Sequence, residues 1–162
     1  MSAGFQDNNF ASTTTQIADS WQLFGGGDGV QIRVHGGTRV QTYSSQYGGL
    51  NITSNGIAST DRKGWKCPIR LDPIKPSIRY FGTNKLYKYD TAQSKWNAIS
   101  GDLTNGSGGG VYGTISAFAI SPTNNQYIYT GSDDGRAYIT KNGGSTWTDV
   151  SAGLPGFWCT FI

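Results

Sequence analysis

Aspartate supplies every side-chain carboxylate of this chain, because the sequence contains no glutamate. Two carboxylates flanking a glycosidic bond are enough for hydrolysis, and their separation decides between retention and inversion. Asp7, in Phe5-Gln6-Asp7-Asn8, and Asp28, in the Gly25–Gly29 run, are the candidates for such a catalytic pair. Asp-Asn and Asp-Gly are also ordinary turn dipeptides, so both residues have a purely structural reading. Other chemistries find less support. His35 is the only histidine, has no His, Cys or Asp at ligand spacing beside it, and reads as a strand-end surface residue. No Ser-His-Asp set is visible, and the Gly106–Gly110 run lacks the following Lys-Ser/Thr that a phosphate cradle needs. Cys67 and Cys159 fit no metal or redox spacing and read as two buried thiols or a disulfide. Neither a metal nor a cofactor is expected.

Composition says what must position these residues. With 24 glycines, 13% aromatic residues and only 14% charged ones, the chain is poor in the Glu, Lys and Leu that build helices. Its aspartates suit turns. The formal charge of +3 is scattered without a basic run, which argues against a nucleic-acid partner. No transmembrane run, signal peptide or lipidation signal is visible. The Thr/Asn/Gly/aromatic-rich composition points to an extracellular, secreted protein whose export signal lies outside this sequence. Asn51-Ile52-Thr53 and Asn105-Gly106-Ser107 match glycosylation sequons, which arise often by chance.

An internal repeat sets the architecture. Ile69-Arg70-Leu71-Asp72-Pro73 returns 49 positions on as Phe118-Ala119-Ile120-Ser121-Pro122, and Tyr80-Phe81-Gly82-Thr83 returns as Tyr129-Thr130-Gly131-Ser132. A period near 50 residues with four short β runs per unit predicts an all-β propeller of about four blades, each a four-stranded antiparallel sheet. The expected units are 1–24 (strands B to D), 30–64, 65–104 and 114–152, with 157–162 as strand A of a blade split between the termini. In the last full unit strand A covers 114–121, B 126–131 and C 136–141, and D starts at Trp147; in the unit before, the strands are 65–72, 77–82, 86–91 and from Trp96. In the more degenerate second unit, Val30–His35, Arg39–Ser45 and Leu50–Ser54 are read as strands, and Asn55–Gly64 as a worn-down fourth. Phe10–Gln16 and Ser20–Phe24 serve as strands in the first. The unpaired ends, residues 1–6 and 157–162, suit either a piece of a longer propeller or completion by strand pairing, within one chain or between two copies.

Thr140-Lys141-Asn142-Gly143-Gly144-Ser145-Thr146-Trp147 fits the pattern Ser/Thr-x-Asp-x-Gly-x-x-Trp, with Asn at the Asp position. Asp90 to Trp96 is a degenerate second copy with one extra residue. Thr140, Asn142, Gly144, Trp147, Asp90 and Trp96 are therefore read as a structural set: a side chain caps a tight turn, glycine accepts positive φ, and tryptophan plugs between sheets. On these motifs the chain resembles the Asp-box (bacterial neuraminidase repeat) propellers, a group that includes sialidases, sortilin-type domains and xyloglucanase-like glycoside hydrolases. The stretches from Leu71 to Asp90 and from Ala119 to Pro155 look like consecutive blades of secreted bacterial members, and Gly4–Asn8 and Gly25–Gly29 are similar to elements of the same group.

The resemblance implies a ligand face built from the B–C and D–A connections, opposite the Asp boxes. Besides Asp7 and Asp28 that face would carry Asn8, Gln46, Tyr47, Asn84, Tyr112, Asp133 and Asp134. Sialidase chemistry uses a Tyr/Glu pair, and no glutamate exists here. It also uses an arginine triad on that face, whereas Arg33, Arg70, Arg79 and Arg136 fall in or beside predicted strands. The expectation is an extracellular binding or structural module for a glycan or protein, assembling as a homo-oligomer through residues 1–6 and 157–162. The alternative is part of a xyloglucanase-like hydrolase using Asp7 and Asp28.

Overall fold

The strands form where Ile, Val, Tyr, Phe and Thr cluster between glycine, proline, asparagine and aspartate. A computed structural model describes residues 2–13, 20–35 and 40–162. They make four antiparallel sheets in chain order. The first joins β1 (Ser2–Gly4), β2 (Phe10–Ser12) and β3 (Gln22–Phe24); the second pairs β4 (Gln31–His35) with β5 (Val40–Ser44). The third is β6 (Ile69–Leu71), β7 (Arg79–Gly82), β8 (Leu86–Asp90) and β9 (Lys95–Ala98). The fourth is β10 (Ile115–Ile120), β11 (Ile128–Ser132), β12 (Ala137–Thr140) and β13 (Thr148–Asp149). The last two sheets repeat each other, Ile69 facing Phe81 as Phe118 faces Thr130. Pro68 stands just before β6, where its missing N–H removes no ladder bond, and its carbonyl accepts from Gly82 N at 2.9 Å.

Three apolar layers lie between successive sheets. Phe10 and Phe24 of the first sheet meet Tyr43 of the second, with ring centroids 4.2 and 5.4 Å from the tyrosine. Cys67, Ile69, Phe81, Tyr87 and Trp96 form the next layer, packed by Leu50, Ile52 and Ile57. Tyr80, Leu86 and Leu103 then meet Ile115, Phe118, Ile120 and Ile128. Burial pushes the Cys67 thiol up to about 12, so it behaves as an inert core residue. Both cysteines are free thiols, Cys67 buried and Cys159 partly exposed.

One backbone contact recurs from sheet to sheet. Gly29 N donates to Phe5 O at 2.8 Å, Ile115 N to Thr83 O at 2.8 Å, and Cys159 N to Ser132 O at 3.0 Å. Each acceptor ends or follows a sheet's B strand and each donor belongs to the segment that comes after that sheet. Residues 157–162, expected as a strand, form no ladder, but Cys159 occupies the place that Ile115 takes against the preceding sheet.

The second sheet departs most from the reading of the repeat. Leu50–Ser54 is not a strand; a single bridge joins Ser44 to Leu50. Asn51 Oδ1 accepts from Tyr43 N at 3.1 Å and from Thr42 Oγ1 at 3.2 Å, so one amide side chain stands in for a neighbouring strand. Residues 55–64 make turns, not a fourth strand, and Asn55 O accepts from Trp96 N at 2.8 Å. The end of the strand expected over Phe10–Gln16, beyond Thr13, and Arg39 lie outside the described residues.

The two turns that the sequence singles out are held by side chains. Asn142 Oδ1 accepts from Thr146 N at 2.9 Å and from Thr140 Oγ1 at 2.9 Å, while Thr140 Oγ1 accepts from Gly144 N at 3.0 Å. Gly144, with φ of 100°, lies so close to Ile99 that a Cβ would stand 2.7 Å from its carbonyl oxygen. Half-buried Trp147 donates from Nε1 to that same oxygen at 2.9 Å. In the other turn Asp90 Oδ1 accepts from Ala92 N at 2.9 Å and Gln93 N at 3.1 Å. Replacing Asn142 with alanine is expected to lower stability by about 1–2 kcal/mol, since the Thr146 amide and Thr140 hydroxyl lose their acceptor. Urea unfolding checks this, and an unchanged midpoint would show the turn to be held by its glycines alone.

Candidate functional site

The loops that follow each sheet's B strand and those that join one sheet to the next come together. Asp7 and Asp28, remote in sequence, meet there: Asp7 N donates to Asp28 Oδ1 at 2.6 Å. Asp28 N in turn donates to Gln46 Oε1 at 2.7 Å. One Asp28 oxygen thus anchors a turn, while Asn8, exposed, donates from Nδ2 to Gln6 O at 3.2 Å.

Backbone strain marks the same cluster. Asp7, Asn9 and Tyr47 hold φ of 61°, 62° and 50°, in the left-handed region. Asp and Asn tolerate it, whereas Tyr47 carries about 1–3 kcal/mol of strain. Its N–H donates to Trp65 O at 3.1 Å, and the neighbouring Gln46 is held by Asp28, so the surroundings impose the conformation. The side chain is thrown outward, 57% exposed.

Tyr112, 38% exposed, stands beside it. The neighbouring Tyr47 phenol and, less, partial burial raise the Tyr112 hydroxyl above its ordinary value. Tyr112 is set by Asp133, whose Oδ2 accepts from Tyr112 N at 2.7 Å and whose Oδ1 accepts from Thr114 N at 2.8 Å. Asp133 is only 2% exposed, so it holds the loop and does not meet solvent. Asp134 does similar work at the rim: it accepts from Asn105 N, Ser132 Oγ and Arg136 N.

Asn84, 5% exposed, is likewise a fold residue. Its Oδ1 accepts from Arg62 N at 3.1 Å and its Nδ2 donates to Asp102 Oδ2 at 3.0 Å. Asp102 also accepts from Arg62 Nη2 at 2.7 Å and Thr104 Oγ1 at 2.8 Å. Partial burial pushes the Asp102 carboxyl up, and the bonds from Thr104, Arg62 and Asn84 with the Arg62 charge more than reverse this, holding it below the usual carboxylate range.

One set escaped the reading of the sequence. Asp61, its side chain buried, accepts from Lys85 Nζ at 2.9 Å, from the Tyr87 hydroxyl, and from Thr83 Oγ1 at 3.4 Å. The Asp61 bond raises the Lys85 ammonium, and burial together with Asp61 raises the Tyr87 hydroxyl. A lone aspartate in Thr60-Asp61-Arg62-Lys63 offers no local sign of these partners; only the i, i+2 spacing of Lys85, just before β8, and Tyr87, within it, hints at one face.

Among the described residues no group of three or more His, Cys, Asp or Glu is placed to hold a metal ion, and no helix is long and apolar enough to cross a membrane. The arrangement presents two aromatic faces flanked by carboxylates and amides, fixed on loops that buried aspartates and asparagines hold. No protein-family model matches the chain, and no curated protein matches it.

Proposed function

We propose that the chain is a β-propeller-type binding module of the Asp-box group, secreted, whose loop face takes a glycan. The observation that carries this reading is the Tyr47–Tyr112 pair: two exposed phenols side by side, one held in a strained backbone, both on anchored loops. Rigid aromatic faces give apolar contact to the C–H side of a sugar ring at little entropic cost, and the phenol hydroxyls and Gln46 supply hydrogen bonds. The sheets meeting in chain order, the recurring contact between them, and the Thr140–Trp147 turn support the propeller type.

A glycan array probed with the wild-type chain, Tyr47→Ala and Tyr112→Ala tests the reading. Wild type is expected to retain at least one oligosaccharide, and each variant to lose affinity about tenfold, equivalent to about 1.4 kcal/mol, while unfolding at nearly the same urea concentration. Absence of any retained glycan, or binding indifferent to both variants, would sink it.

A second reading rests on the convergence of Asp7 and Asp28: the pair acts as acid and base on a polysaccharide bound along this face. Scoring the retained oligosaccharides for new reducing ends tests it. Cleavage that persists in Asp7→Asn and Asp28→Asn would remove these residues from the chemistry.

A further inference from the structure

Two arginines on neighbouring strands have no counter-charge among the described residues. Arg33 of β4 faces Thr42, two residues before the end of β5, and Arg70 of β6 faces Tyr80, two residues before the end of β7. They therefore hold matching positions on consecutive sheets. β4 and β6 lie side by side, with Gln31 Oε1 accepting from Ile69 N at 3.1 Å.

Both guanidinium groups are poorly satisfied. The Nε of Arg33 and the Nε of Arg70 are buried without a hydrogen-bond partner. Among the described residues Arg33 Nη1 donates only to the carbonyl of its neighbour Ile32, at 3.1 Å. Arg70 rests its guanidinium 5.9 Å above the Phe118 ring, which fixes its plane without neutralising it. The ion pairs among the described residues are Arg62–Asp102, Lys85–Asp61 and Arg136–Asp149, and none reaches this pair. Burial lowers both pKa values, and the charge of Arg33 lowers that of Arg70 further.

Two half-buried like charges with idle donors are unfavourable unless something negative joins them. Arginine is the side chain whose planar fork matches an oxyanion, donating two parallel bonds to it. We propose that Arg33 and Arg70 together form a receptor for one oxyanion, a carboxylate, sulfate or phosphate group, held between the first strands of two consecutive sheets. Gln31, on the same face of β4 as Arg33, supplies an additional amide. The site depends on no part of the loop-face reading.

Calorimetric titration of the whole chain with sodium sulfate, sodium phosphate and sodium glucuronate, at ionic strength fixed with chloride, tests this. At least one anion is expected to bind with one-to-one stoichiometry and to raise the melting temperature above that in chloride. Arg33→Lys and Arg70→Lys keep the charge but lose the fork, and each is expected to weaken binding about tenfold. Sulfate or phosphate binding without glucuronate assigns the site to an inorganic ion or phosphoryl group; glucuronate binding assigns it to an acidic sugar or acidic side chain. The proposal is overturned if no anion binds beyond chloride, or if both lysine variants bind as wild type does.

Discussion

Replacing Trp96 with alanine is expected to lower the free energy of unfolding by about 3–5 kcal/mol, a large share of what a domain of this size possesses. The indole is fully buried, its ring centroid 5.8 Å from Phe81 and 5.0 Å from Tyr89. Its Nε1 donates to Thr53 O at 2.8 Å and its backbone N–H to Asn55 O at 2.8 Å. The side chain therefore does two jobs: it fills the layer between the second and third sheets, and it ties down the irregular segment that replaces two strands there. Trp96→Phe keeps most of the volume and leaves the Thr53 carbonyl without its donor, so about 1–3 kcal/mol is expected. Trp147→Ala serves as the comparison, since that indole makes an equivalent bond to Ile99 but is only half buried, and a smaller loss is expected. Urea denaturation of the three variants decides the matter; equal losses for Trp96→Ala and Trp147→Ala would show that burial is not what sets the cost.

Asp133→Ala is expected to cost about 3 kcal/mol and, on the proposed reading of the loop face, to weaken glycan binding as well. The carboxylate is the shared acceptor for the amides of Tyr112 and Thr114, and alanine leaves both donors unmet. Bonds to a charged acceptor contribute about 1.5–3 kcal/mol each, and the pair shares one side chain, so the sum is not fully additive. Asp133→Asn keeps one carbonyl acceptor and is expected to lose about half as much. The distinguishing readout is binding measured where both variants remain folded. The loop bearing Tyr112 loses its tether, so affinity falls even though Asp133 itself does not face the ligand. An affinity unchanged in folded Asp133→Ala would detach the buried carboxylate from the loop face.

The third and fourth sheets were legible because they repeat. A 49-residue offset superimposes Tyr80-Phe81-Gly82-Thr83 on Tyr129-Thr130-Gly131-Ser132, and the strands fall within a few residues of their expected bounds. The second sheet was not, because Asn51 replaces a strand by hydrogen-bonding from its side chain, and nothing in Leu50–Ser54 as a β-type run announces that. The meeting of Asp7 with Asp28 follows from placing both in connections at one end of the sheets. Burial was the harder property to read. Asn84 and Asp133 are as polar as Asn8 and Asp134, yet they are sunk among backbone donors that only the folded loops bring to them. The Asp61–Lys85–Tyr87 set fails for the same reason: its members are joined by packing between segments, not by spacing along one.

The contact repeated at Phe5, Thr83 and Ser132 gives the molecule the mechanics of a row of leaves sharing a spine. Each sheet meets chiefly the one before and the one after, so its hold on the whole is a nearest-neighbour affair, and disruption travels leaf by leaf rather than everywhere at once. The loop face draws Asp7 and Asp28 from one end of that row, Tyr47 from its middle and Tyr112 with Asp133 from the other end. A ligand laid across it would act as a stitch, coupling leaves that the backbone joins only in sequence, and would lend the chain a cooperativity that its own contacts do not supply.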